Sequence, residues 1–178
     1  MRGIKYLFLA ASLFLIKGSY AQDSIPENLT GIISVDSATK LKLYETAKTW
    51  ILTRFTTADN MIQFDDKEQG FIFATCHIIM EKKYQLFGSV TDNNTLTFKL
   101  EMNFKDHKFK YDIKNILYSY TVISGGPNKG YHQSSLNHLD ALTKKEPSEV
   151  QQEAILKLKA IVEEMKVKMM LAKNNGDW

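Results

Sequence analysis

A run of charges followed by a glycine is the first candidate for chemistry: Asp65, Asp66, Lys67, Glu68 and Gly70. Three carboxylates so close together could bind a metal ion or serve a hydrolase as acid and base. An acid/base pair must converge on one substrate atom. Asp65 and Asp66 are adjacent at the end of a predicted strand, where successive side chains point to opposite faces. The sequence therefore predicts a hairpin tip whose charges face water and whose glycine supplies a positive φ, with no catalytic pair.

Calcium binding by this stretch is also disfavoured. A calcium loop beginning at Asp65 would have Gly70 in its sixth place, as the motif requires. However, Lys67 and Gln69 occupy places where the motif has Asp or Asn, and the twelfth place is Cys76 instead of a bidentate glutamate. No metal or other cofactor is predicted.

Cysteine and histidine residues give two further candidates. Cys76 and His77 are adjacent on a predicted strand, so Cys76 is expected to be an inert core residue and His77 to lie on the wet face. His132 and His138 are six residues apart, which does not suit a helical metal pair, although Asp140 could join them in a folded loop.

A phosphate-binding loop is rejected. Gly125 and Gly130 have the glycine spacing of a P-loop, but Tyr131 and His132 replace its lysine and hydroxyl residue.

The surrounding periodicity predicts the elements that position these residues. Apolar residues recur every three or four positions in residues 39–55 and 150–169, which indicates two helices, the second long and beginning near Pro147. Alternating apolar residues predict strands at 31–35, 61–65, 71–80, 95–105 and 108–114. The fold class is α+β: an antiparallel sheet of about four to five strands, with an N-terminal and a long C-terminal helix packed on one face.

The uncovered face of this sheet is the predicted binding surface. Its strands carry aromatic side chains among mixed charges, a combination suited to a protein partner or an extended ligand. An ordinary solvated antiparallel face is the alternative. The candidate binding residues are Phe71, Phe73, His77, Lys99, Glu101 and Lys110.

The N-terminal residues predict export. Arg2 and Lys5 precede an apolar run of about 11 residues, too short to span a bilayer, and small residues end at Ala21. We expect a signal peptide at 1–21, a flexible lead-in at 22–30 and one domain at 31–173, comprising a core at 31–115, a loop region at 116–146 and a helix at 147–173. Cleavage before Gln22 would place the mature chain in the periplasm or outside the cell.

Charge and cysteine content limit the function. Removing Arg2, Lys5 and Lys17 with the leader takes three of 23 basic residues and leaves 20, against 20 acidic ones. A formal net charge of zero gives no basic footprint for nucleic acid. The single cysteine allows no internal disulfide, and no second long apolar segment predicts a transmembrane helix.

Three segments carry motifs of a known family. The first is L-Y-x-x-A-x-x-W from Leu43 to Trp50, and the second is D-D-K-E-x-G-x-I from Asp65 to Ile72. The third is a hairpin with Asp106, Phe109, Tyr111 and Ile113, in which His107 takes the usual glycine place and is expected to adopt a left-handed conformation. These motifs, spanning about residues 31–115, resemble an exported bacterial domain of unknown function, family 4468, with a TBP-like fold.

The resemblance implies a curved antiparallel sheet with helices on one side and implies no activity. The TBP label describes a fold and does not carry DNA binding with it. The favoured hypothesis is an exported, non-enzymatic binding or interaction module for an unidentified protein or small ligand of the cell envelope. The alternatives are a metal-dependent or carboxylate-based hydrolase, and a structural subunit of an envelope complex.

Overall fold

The computed structural model describes residues 28–55, 61–86, 89–125, 129–136 and 149–172. Two helices and seven strands follow one another as β1 (Leu29–Ser34), α1 (Lys40–Arg54), β2 (Ile62–Asp66), β3 (Phe71–Met80), β4 (Gln85–Leu86), β5 (Ser89–Lys105), β6 (Lys108–Ser124), β7 (Gly130–Ser135) and α2 (Glu149–Met170). The predicted leader at 1–21, Pro147, His138 and Asp140 lie outside the described residues.

All strand pairs are antiparallel, and five strands form one path in the order β1-β6-β5-β3-β2. Short β4 pairs with β5 and β7 pairs with β6. The curved sheet is open, with β2 at one edge. At the other edge, β1 pairs with β6 from Lys108 to Ile113, and β7 pairs with β6 from Leu117 to Val122.

Alternation places one side of every long strand in the core. The apolar residues at even positions of β3 and β5 are buried, as the sequence predicts, and so are Phe109, Tyr111 and Ile113 of β6. Helix α1 adds Leu43, Ala47 and Ile51 to the same core. This α+β arrangement, with an N-terminal and a long C-terminal helix covering the sheet, confirms the predicted fold class.

The two helices are joined by a shared glutamate. Trp50 Nε1 donates to Glu164 Oε1 over 3.0 Å, and Arg54 Nε donates to Glu164 Oε2 over 2.9 Å. Both helices therefore form one layer on the buried side, and neither of them covers the other side of the sheet, here called the open face. None of the helices in the described ranges is long and apolar enough to cross a membrane.

The prediction of a loop region at 116–146 is wrong for residues 116–124 and 130–135, which belong to β6 and β7. In β6 the cause is a β-bulge at Asn115, whose φ is +53°, where the pairing of β5 with β6 shifts register. A bulge moves later side chains to the opposite face, so that Ile116 and Tyr118 continue the buried row out of step with Ile113.

A threonine caps the start of α1. The N-cap is Thr39, whose side chain accepts from Lys42 N. Ser37 has a positive φ and turns the chain before the helix begins.

Candidate functional site

The end of the β2–β3 hairpin is attached to α1. Asp65 accepts hydrogen bonds from the Tyr44 hydroxyl and from Lys48 Nζ, the latter over 2.7 Å. The Lys48 ammonium, followed by the Tyr44 hydroxyl, holds the pKa of Asp65 below its usual value. Tyr44 and Lys48 are one helical turn apart, so a single carboxylate binds both. The expectation that these charges face water is therefore wrong for Asp65, because helix α1 lies on its side of the hairpin.

The remaining charges of the hairpin end make local contacts of the same kind. Lys67 pairs with Glu45 of α1 at 3.1 Å, and Lys40 Nζ donates to the carbonyl of Glu68 over 2.6 Å. Asp66 accepts from Gln69 N over 2.9 Å within the turn. Asp65 and Asp66 thus have separate partners and do not converge, as strand parity predicts.

Gly70 fits this junction because of its conformation and its surroundings. Its φ is +68°, and a Cβ atom there would lie 2.9 Å from the carbonyl oxygen of Phe104. The Gly70 carbonyl also accepts from Phe104 N over 2.8 Å. A side chain at this position would be strained by both effects.

The turn between β5 and β6 fixes the start of α1. Asp106 Oδ1 accepts from Lys40 N over 2.7 Å, so a carboxylate caps the helix. His107 N donates to the carbonyl of Ala38 over 2.9 Å, and its φ is +64°, which confirms the expected left-handed conformation. The three sequence motifs therefore meet around the first half of α1, and their polar groups satisfy one another.

The cysteine and histidine candidates are separated by the sheet. Cys76 is fully buried, and burial raises the pKa of its thiol to about 12. His77 lies on the open face, where its Nδ1 is 2.9 Å from the Thr97 hydroxyl. His132 stacks on Tyr120 with ring centroids 5.3 Å apart. Within the described ranges, no three His, Cys, Asp or Glu residues form a group that could hold a metal ion.

An aromatic patch lies on the open face beside the β2 edge and consists of Phe64, Phe71 and Phe73. The Phe64 and Phe71 ring centroids are 5.9 Å apart, and Phe64 pairs with Phe73 across the two strands. Phe64 is 56% exposed. Phe71 and Phe73 are partly buried, so the three rings form a partly exposed apolar surface.

A cation borders this patch. Lys99 Nζ lies 5.4 Å from the Phe73 ring centroid and donates to the Thr75 hydroxyl over 2.8 Å and to Gln63 Oε1 over 3.1 Å. An ammonium over an aromatic face is an attractive cation–π geometry. The patch can therefore accept an apolar side chain next to an acidic or carbonyl group.

The middle of the open face is more polar. Glu101 pairs with Lys114 at 2.5 Å, and this bond raises the pKa of Lys114. The neighbouring Asp112 has a buried Oδ1 without a hydrogen-bond partner among the described residues. A cleft of about 690 Å³ opens beside Lys99, Lys114 and Asn115, between the start of β1 and the end of β7.

Lysines occupy the end of the open face near the β5–β6 turn. Lys105 and Lys108 are directly paired across the two strands, and Lys110 lies opposite Asn103 and Ile32. Together these residues and Phe109 line a cleft of about 240 Å³, here called the lysine cleft. None of its three lysines forms an ion pair with a described residue.

The predicted binding residues form separate parts of this face. The structure brings Phe71, Phe73 and Lys99 together, places Glu101 beside them, and leaves His77 and Lys110 towards opposite ends. Sequence reasoning missed Phe64, because alternation with Ile62 placed it on the buried side. A bulge between Ile62 and Phe64 turns it to the open face.

Comparisons with known proteins agree with this architecture. Residues 30–119 match the family described as "Domain of unknown function (DUF4468) with TBP-like fold". A TBP-like protein from Parabacteroides distasonis is similar in structure, with a TM-score of 0.56, 15% identity, and coverage of 84% of this chain and 94% of that chain. A DUF4468 family protein from Bacteroides ovatus is also similar in structure, with a TM-score of 0.55 and 14% identity. The match covers 87% of this chain and 93% of that chain. At these identities the likeness shows the fold alone. A search of curated proteins gave no match.

Proposed function

Since this chain belongs to the DUF4468 family, whose description names a fold and no activity, we propose a function from its open sheet face: the chain is an exported, non-enzymatic module of the bacterial envelope that binds a protein partner. The aromatic patch carries this proposal. Aromatic side chains on a rigid sheet are well suited to anchor a partner, since they bury large areas with little loss of side-chain entropy.

The polar groups next to the patch support a protein partner. Lys99 is held over Phe73 by its bonds to Thr75 and Gln63, so its charge has a fixed position beside the rings. Glu101 and Lys114 follow on the neighbouring strands. An apolar centre with a polar border is the usual composition of a protein interface.

The hydrolase alternative has weaker support. Its proposed carboxylates were Asp65, Asp66 and Glu68, and Asp65 is engaged by Tyr44 and Lys48. Asp66 bonds to its own turn. Asp65 and Asp66 therefore point to different surroundings and form no common site for a substrate atom.

Site-specific photocrosslinking in cells tests the proposal. A photoreactive phenylalanine analogue would replace Phe64 on the open face or, as a matched control, Leu52 on α1, which is 50% exposed. We expect a defined crosslinked band from position 64 and none from position 52. Equal crosslinking at both positions, or none at 64, would contradict a binding role for the aromatic patch.

Export is proposed from the leader sequence and has its own test. Mass spectrometry of the mature protein is expected to find Gln22 as the first residue. An intact N-terminus would reject cleavage, and the envelope location would then need an anchored form of the chain.

A further inference from the structure

Strand β1 is an edge strand of the sheet, and it lacks the features by which edge strands usually avoid pairing with another chain. Its sequence from Leu29 to Ser34 contains no charged residue and no proline. Its pairing with β6 is continuous from Leu29 opposite Ile113 to Ser34 opposite Lys108, without a bulge. Charges, prolines and bulges are the features that keep an edge from pairing with another chain, and β1 has none of them.

The opposite edge shows these protective features. Strand β2 has a bulge between Ile62 and Phe64, and its last residues are Asp65 and Asp66. An added strand would therefore meet a bulge and charges at β2 and neither of these at β1.

The side chains around β1 define what a suitable strand would carry. Leu29 and Ile33 are partly buried against the core, so an added strand would meet apolar surface on that face. On the open face, Thr30 and Ser34 are small and Ile32 is 69% exposed. On β6, Lys108 stands opposite Ser34, Lys110 opposite Ile32, and Asp112 opposite Thr30, so the positive charge lies at the Ser34 end of β1.

The lysine cleft supplies an unneutralised positive charge at this edge. Directly opposed like charges, as in the pair Lys105 and Lys108, destabilise a sheet. An added strand would lie two strand spacings, about 10 Å, from β6. The Lys108 side chain can extend over Ser34, and that of Lys110 past Ile32, towards acidic groups at that distance, and such groups would relieve the repulsion.

We propose that the β1 edge binds an extended polypeptide segment of a partner protein by strand addition, and that this segment carries acidic side chains on one face and apolar side chains on the other. Backbone hydrogen bonds to β1 provide affinity, while the lysine cleft and the apolar pair Leu29 and Ile33 select the side chains. A second copy of this chain fits less well, because two lysine clefts would face each other across the joined edges. This site goes beyond the aromatic patch and lies at the other edge of the sheet.

Synthetic peptides provide the test. The probes are a capped seven-residue peptide of alternating Glu and Val and a Lys–Val peptide of equal length. A third peptide is the Glu–Val sequence with every backbone nitrogen methylated, which keeps its charge but leaves no N–H group on either edge to pair as a strand. Binding is measured on the mature protein by calorimetry, and amide hydrogen exchange of Thr30–Ser34 is followed by NMR.

We expect the Glu–Val peptide to bind and to slow exchange of the outward-facing β1 amides at least threefold. The Lys–Val and methylated peptides should bind at least tenfold more weakly. The triple variant Lys105→Gln, Lys108→Gln and Lys110→Gln should lose at least tenfold in affinity for the Glu–Val peptide. The control triple Lys42→Gln, Lys159→Gln and Lys168→Gln changes the net charge equally on the helices and should keep full affinity.

Several results would overturn the inference. Equal binding of the methylated peptide would show charge attraction without strand addition, and equal loss in both triple variants would remove the lysine cleft as the selecting feature. Concentration-dependent dimerisation that protects the same β1 amides would identify a second copy as the occupant. Crosslinking at position 64 does not depend on any of these results, so the two proposals can fail separately.

Discussion

The β2–β3 hairpin end and the open face contain the same kinds of residue, but their side chains have different partners. At the hairpin end, carboxylates and lysines bond to α1 or to their own turn. On the open face, three phenylalanines form a partly exposed apolar patch, and three lysines lack an ion pair with any described residue. The unusual order of charges in the second motif is thus explained by internal contacts, and the potential for binding lies where contacts are missing.

The largest expected effect comes from Gly70→Val, which breaks the hairpin end. A β-branched side chain at a φ of +68°, with its Cβ 2.9 Å from the Phe104 carbonyl, combines backbone strain with overpacking. We expect the free energy of unfolding to fall by about 2–4 kcal/mol in chemical denaturation. Gly70→Ala has the same positive φ and the same close Cβ without the β-branch, so it should lose less than Gly70→Val. A loss below about 1 kcal/mol in Gly70→Val would show that neither the positive φ nor the close approach to Phe104 is important.

Asp65→Asn removes the charge that joins the hairpin to α1. The variant loses the ion pair with Lys48, which is partly solvent-screened, and weakens the bond from Tyr44. We expect a loss of about 1 kcal/mol in the free energy of unfolding. The matched change Asp66→Asn keeps an oxygen that can accept from Gln69 N and should cost under about 0.5 kcal/mol. If the two variants were equally stable, Asp65 would not be the structural carboxylate.

The pH dependence of stability tests whether the Asp65 carboxylate stabilises the fold. The pKa of Asp65 is lowered in the folded protein, first by Lys48 and then by Tyr44. Its contribution is therefore complete above the unfolded-state pKa of about 3.9 and is lost as the pH falls through the lower folded-state pKa. Denaturation from pH 6 to pH 2 should show a steeper acid loss in the wild type than in Asp65→Asn. Parallel curves would contradict the depressed pKa.

Phe64→Ser tests whether the aromatic patch on the open face contributes to stability. Its ring is more than half exposed, so we expect a change in the free energy of unfolding below about 0.5 kcal/mol. Thermal denaturation of Phe64→Ser and Asp65→Asn under the same conditions compares the two losses of stability directly. A larger loss at Phe64 than at Asp65 would mean that the aromatic patch is primarily structural.

Cys76 should show no reactivity in the folded protein. Burial raises the pKa of its thiol to about 12, so almost no thiolate exists at pH 8. A thiol reagent should label it only after denaturant is added. Rapid labelling of the native protein would show that the core strand β3 opens or that the thiol is reachable.

The strands and helices were predictable because apolar residues alternate or recur in step with a single buried face. Two errors occur where a bulge changes that step. The bulge at Asn115 made the second half of β6 unpredictable by alternation, and the bulge next to Ile62 did the same for the exposure of Phe64. The partner of Asp65 was not predictable from alternation, because it comes from another element. Its signal was present in Tyr44 and Lys48, a phenol and an ammonium one helical turn apart.

The central claim is that the acidic motif supports α1 and that the aromatic patch binds the partner. Its most direct test is the crosslinking yield from a photoreactive residue at position 64, measured in two backgrounds at a temperature where both are folded by circular dichroism. The triple variant Asp65→Ser, Asp66→Ser and Glu68→Ser should keep the wild-type yield. In the double variant Phe71→Ser and Phe73→Ser, the crosslinking yield should fall at least tenfold. Loss of the crosslink in the acidic variant, with full yield in the aromatic one, would contradict this account.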